Sequence, residues 1–168
     1  ASEPTEAYPD PDWTCGVKLG RYKNGRFVVL HVELQRKRAN EIRELVKRLA
    51  AMDGAGCSVG IPKDPAQAGK DQSESYMREL AGYRVYSEAE SGDKETRAEP
   101  SAAQWQHQNI DVVKGPWNDQ FFSMLEAFPD PKVHDDPVDA LGGAVKKLSA
   151  KVITIRRGAI ADASRWGA

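Results

Sequence analysis

Apolar and polar positions along this 168-residue chain change period several times, and each change predicts an element. Residues 13–19 read as a strand. Asn24-Gly25 follows, a strong hairpin-turn pair. Phe27-Val28-Val29-Leu30-His31-Val32-Glu33-Leu34 is the return strand. It is nearly all apolar at its start, which predicts a central place in a sheet. Over residues 39–52 the apolar positions Ile42, Leu45, Val46 and Leu49 recur at helical spacing, and Asp53-Gly54 ends the helix. Residues 58–61 form a short buried strand stopped by Pro62. A polar helix is expected over residues 66–80, with Tyr76, Met77 and Leu80 as its apolar side. Residues 84–86 are another strand and 88–93 a polar loop. A helix follows over residues 94–107, in which Pro100 must sit in the first turns or interrupt the helix. Residues 110–113 make a strand ended by Gly115-Pro116. Residues 117–128 are an amphipathic helix with Phe121, Phe122, Leu125 and Phe128 inward. The final helix runs to about Leu148, with Asp136 as its N-cap and Pro137 at its first position.

The order is a hairpin followed by alternating helices and strands. That predicts one α/β domain with a mixed sheet, led by an irregular Pro-rich segment (1–12) and followed by a basic tail (151–168). The length suits a single domain. Forty per cent apolar residues is enough for one core, and the net charge of -1 makes the whole chain no electrostatic magnet for nucleic acid. Any DNA contact must come from local basic patches. Cys15 and Cys57 have no metal-like spacing and are expected to be reduced, buried thiols in a cytoplasmic protein. No membrane span or signal peptide is expected.

The chemistry concentrates in His134-Asp135-Asp136-Pro137-Val138-Asp139-Ala140-Leu141. Capping accounts for Asp136, and a favourable acid in the first turn for Asp139. Asp135 has neither explanation, and two ionised neighbours repel unless a metal or a basic residue sits beside them. His134 reads as a metal ligand, a proton shuttle or a helix-flanking surface residue. Asp64, after the apolar run Val59-Gly60-Ile61-Pro62-Lys63, either begins a turn or joins the other acids. Together these residues fit a hard divalent cation site for phosphodiester hydrolysis. Lys63, Lys70, Lys94, Arg97 and Lys114 stand in loops or at helix starts, where they read as solvated charge or as phosphate contacts. Gly69-Lys70 lacks the spacing of a P-loop, so no ATP site is expected. Trp13, Trp105 and Trp117 are expected in or near the core.

Five segments occur in order: Asp12-Trp13-Thr14-Cys15-Gly16-Val17; Gly60 to Lys70; Gly92-Asp93-Lys94-Glu95-Thr96-Arg97-Ala98; Val113-Lys114-Gly115-Pro116-Trp117-Asn118; and His134 to Leu141. The ordered set, over residues 12–145, resembles the C-terminal nuclease domain of the large terminase subunit of tailed bacteriophages or prophages. The resemblance implies an RNase H-like fold for residues 13–150. It implies an endonuclease dependent on Mg²⁺ or Mn²⁺, with two ions, that cuts concatemeric double-stranded viral DNA in the cytoplasm of the bacterial host. Portal protein, small terminase subunit and an ATPase motor domain outside this chain would be its partners. By motif, Asp64, Asp135 and Asp136 match the family's carboxylates. Asp139 falls one turn onward as an auxiliary ligand, and Lys70, Lys94 and Arg97 match its basic positions. The family's first aspartate belongs on a strand before the hairpin. That strand is expected to be truncated here or to lie upstream of Ala1, and Asp12 is the candidate substitute ligand. The rival readings are a junction resolvase and a non-catalytic nuclease-like docking module.

Overall fold

The computed structural model describes residues 3–63, 67–89 and 92–150, leaving the basic tail outside. Strand β1 (Thr14–Arg21) and strand β2 (Phe27–Gln35) pair antiparallel. The expected turn joins them. Gly25 takes φ +92, and Asn24 Oδ1 accepts from the Arg26 N–H at 3.1 Å. The register steps from Lys18↔His31 to Leu19↔Val29, so Leu30 is an extra residue bulged out of β2. The bulge reverses the alternation of faces. It allows Phe27 and Val29 before it, and Val32 after it, to enter the same core. The short strand β5 (Ile110–Val112) pairs parallel to the start of β2, so β2 is central, as its apolar start predicts.

Helices α4 (Asn118–Ala127) and α5 (Asp136–Ser149) bring apolar residues to this sheet. Phe121, Leu141 and Val145 close the main core with Phe27, Val29 and Val32. Each such side chain taken out of water contributes about 1.5–3 kcal/mol. Arg21 lies over the Phe27 ring and donates to the Leu148 carbonyl at 3.0 Å, satisfying one carbonyl at the end of α5.

The other strands do not extend that sheet. Strands β3 (Ser58–Lys63) and β4 (Arg84–Ala89) form a separate parallel pair, so the expected mixed sheet is made by β1, β2 and β5. No strand among the described residues bridges β1 and β3. A second core joins this pair to helix α1 (Ala39–Asp53) and helix α2 (Gln67–Glu79) through Ala50, Tyr76 and Leu80. Tyr76 and Leu80 are one turn apart and share the buried face. Met77 lies about 100° round the helix from Tyr76 and is exposed, contrary to the expected apolar side. Lys18 of β1 pairs with Asp53 at the end of α1, linking the two halves.

Helix α3 (Lys94–Gln106) begins at Asp93, whose carboxylate accepts from the Thr96 N–H at 2.7 Å. The helix runs on through Pro100 rather than breaking there. Pro100 and Thr96 are both exposed, so water can meet the Thr96 carbonyl that loses its helical partner. Trp105 is also more exposed than expected, touching Phe122 edge-on. Gly142 lets α3 and α5 meet closely: a Cβ there would lie 3.0 Å from the Arg97 carbonyl oxygen. This contact sets the α3 side chains beside the start of α5. No helix among the described residues is long and apolar enough to cross a membrane.

Candidate metal centre

The segment before α5 is tightly turned. The Asp130 carbonyl accepts from the Val133 N–H at 3.1 Å, and its carboxylate accepts from the Lys132 N–H at 2.9 Å. Buried Pro137 and Val138 then anchor the first turn of α5. The helix starts one residue earlier than expected. Asp135 is the N-cap residue, and Asp136 and Pro137 are the first helical positions. The cap is made by backbone: the Asp135 carbonyl accepts from the N–H groups of Val138 and Asp139, at 2.8 and 3.2 Å. The Asp135 side chain makes no cap bond because it is directed elsewhere.

The three carboxylates diverge. Lys94 Nζ donates to both oxygens of Asp135, at 2.9 and 2.6 Å. Arg97 places Nε and Nη2 on Asp139 Oδ1, at 3.3 and 3.0 Å, and Nη1 on the Gly92 carbonyl at 3.0 Å. The basic neighbour that Asp135 requires is therefore present in the chain. Its ion pair holds the Lys94 ammonium above its ordinary pKa.

Asp136 turns the other way. Its Oδ2 accepts from the Trp13 N–H at 3.2 Å. Asp12, His134 and Asp136 bring one ligand atom each within 4.8 Å of one another. His134 Nδ1 lies 3.4 Å from Asp12 Oδ1, and its Nε2 lies 2.8 Å from Arg36 Nη2 and 3.0 Å from Asp10 Oδ2. Arginine only donates, so a lone pair on Nε2 satisfies Arg36 and leaves the ring proton on Nδ1, facing Asp12. A proton on Nε2 satisfies Asp10 instead. Arg36 stacks over the Trp13 ring at 4.1 Å, fixing the chain entry into β1 beside Asp136.

Electrostatics mark Asp136 out. Burial pushes its pKa up, the Trp13 N–H opposes this, and the charges of Asp12 and Asp135 push it further up. A bound cation would relieve that destabilised charge. Asp10 goes the opposite way, held below the usual carboxylate range first by its hydrogen bond to His134 and then by Arg36. The nearby Cys15 thiol is pushed up to about 12 by burial and the Asp136 charge. Cys15 and Cys57 are free and partly buried. Two carboxylates and an imidazole suit Mg²⁺ or, with the nitrogen donor, Mn²⁺.

The other sequence candidates fall as follows. Asp64 and the Lys70 side chain lie outside the described residues. Lys63 ends β3, and Lys114 lies exposed after β5. Neither shows a bond to these acids among the described residues. Sequence reasoning missed Asp10 and Arg36 as partners of His134. Nothing local signals a contact between residues separated by 124 and 98 positions.

The site is thus a group of acids gathered at a helix start of an α/β fold. The chain belongs to the family of terminase RNaseH-like domains, which it matches over residues 4–148. No curated protein and no solved structure matches it.

Proposed function

We propose that this domain is the endonuclease of a DNA-packaging terminase, cutting concatemeric double-stranded DNA with divalent cations. The observation that carries the reading is the convergence of Asp12, His134 and Asp136 at the start of α5, in a chain of the terminase RNaseH-like family. Asp136 is the anchor, with Asp12 and His134 beside it. Asp64, which follows Lys63 in the sequence, and Asp135 are the further ligands of a two-ion site. Bound Mg²⁺ or Mn²⁺ would supply an activated water and neutralise charge on the scissile phosphate. The chain's own residues orient the acids: Trp13 N–H holds Asp136, and Arg97 holds Asp139. Lys63, Lys70 and Lys114 are the phosphate contacts in this reading. An ATPase motor, portal and small subunit are the partners that bring DNA to the site inside the bacterial host.

Incubation with supercoiled plasmid and Mn²⁺ tests the proposal. Nicking and linearisation are expected, and EDTA, Asp136→Asn and Asp64→Asn should each abolish them. Cleavage retained in Asp136→Asn would refute the assignment. Absence of both cleavage and Mn²⁺ binding would favour the docking-module reading.

A further inference from the structure

Lys94 makes the most exposed of the contacts that engage the α5 acids. Its side chain is 57% exposed, against 26% for Asp135, yet its ammonium covers both oxygens of that carboxylate. We propose that Lys94 is a tethered cation that occupies Asp135 while the site is ion-free and is displaced when a divalent ion binds. The inference rests on the proposed metal site.

Three observations support it. First, Asp135 adjoins in sequence Asp136, one of the three residues whose ligand atoms lie within 4.8 Å of one another. A positive charge on Asp135 therefore does locally what a metal ion would do for the pair. Second, the two α3 cations are held differently. Arg97 grips Asp139 through two nitrogens, bonds the Gly92 carbonyl as well, and is 22% exposed. Lys94 is a point charge on a flexible, largely exposed stem. Third, the backbone that carries Lys94 is fixed independently of the pair. Asp93 caps the helix through the Thr96 N–H, and Gly142 packs on the Arg97 carbonyl. Lys94 can swing away while α3 stays docked. Once released, its ammonium is available to a DNA phosphate, so ion loading and DNA binding reinforce each other.

The test is Mn²⁺ binding to the whole chain by calorimetry, with no DNA present. It is joined by an NMR titration with Mg²⁺ that follows the Lys94 Cε resonance. Exposed ion pairs are weak, so Lys94→Gln should bind Mn²⁺ roughly two- to fivefold more tightly than the parent. Lys94→Arg, which keeps the charge, should bind no more tightly. The Lys94 resonance should shift with the same midpoint as Mg²⁺ binding, and Asp135→Asn should abolish that response. Unchanged affinity in Lys94→Gln would overturn the proposal. So would tighter binding with a stationary Lys94 resonance, since that is only a general charge effect. Asp136→Asn separates the two levels of the argument. If it abolishes Mn²⁺ binding while Lys94→Gln changes nothing, only the role of Lys94 falls. If it binds like the parent, the site itself falls.

Discussion

Gly142 and Gly143 are adjacent in α5, yet alanine should have opposite effects at the two. Either substitution removes a glycine from a helix interior, which by itself stabilises by roughly 0.5–1 kcal/mol. At Gly143 a new Cβ meets nothing within 4 Å, so Gly143→Ala should show that gain. At Gly142 the Cβ would lie 3.0 Å from the Arg97 carbonyl oxygen and 3.8 Å from Ser101 Oγ. The closer atom is backbone and cannot rotate away. Helix α3 must retreat by a few tenths of an ångström against the Lys94–Asp135 and Arg97–Asp139 pairs. Overpacking of this kind costs about 1–3 kcal/mol. The propensity gain cancels between the two variants, so their difference isolates the contact. For a chain of this size each kcal/mol moves Tm by about 2–4 °C. Thermal unfolding should therefore place Gly142→Ala at least about 2 °C below Gly143→Ala. Equal melting temperatures would refute the close approach of α3 to α5, and with it the placement of Lys94 and Arg97.

Two further outcomes follow from the same contacts. Asp136 has a raised pKa in the folded state, so its contribution to stability is fully present below the ordinary carboxylate range. That contribution is lost as pH rises through the raised value. In metal-free buffer, Asp136→Asn should raise Tm at pH 7 and leave it nearly unchanged at pH 3; a lower Tm at pH 7 would contradict the electrostatic reading. Phe121 is fully buried in the main core, so Phe121→Ala should cost about 3–5 kcal/mol in denaturant unfolding, whereas a cost below about 1 kcal/mol would place that core elsewhere.

Local signals carried much of the fold. The Asn24-Gly25 turn, the apolar start of β2 and the Ile42–Leu45 spacing each depend on neighbours along the chain, and each appears as expected. What was not legible depends on partners far away. The Leu30 bulge shows only when Val29 and His31 find their positions against β1. Helix α5 starts at Asp135 with no side-chain cap, because Lys94 takes the Asp135 carboxylate and the Trp13 N–H takes that of Asp136. The candidate site divides in the same way. The acids at 135, 136 and 139 stand out in the sequence as a cluster, but their divergence onto Lys94, Trp13 and Arg97 is tertiary. Asp12 reached the candidate set through the resemblance, and the structure places it beside His134 and Asp136.

The proposed function turns on the carboxylate of Asp136 anchoring a divalent cation. Crystals soaked in Mn²⁺ and measured at the manganese absorption edge test it most directly. An anomalous peak bonded to Asp136, with Asp12 or His134 in contact and Lys94 withdrawn from Asp135, is the predicted result. A map with no peak at Asp136, while Lys94 still covers Asp135 at saturating Mn²⁺, would contradict the account.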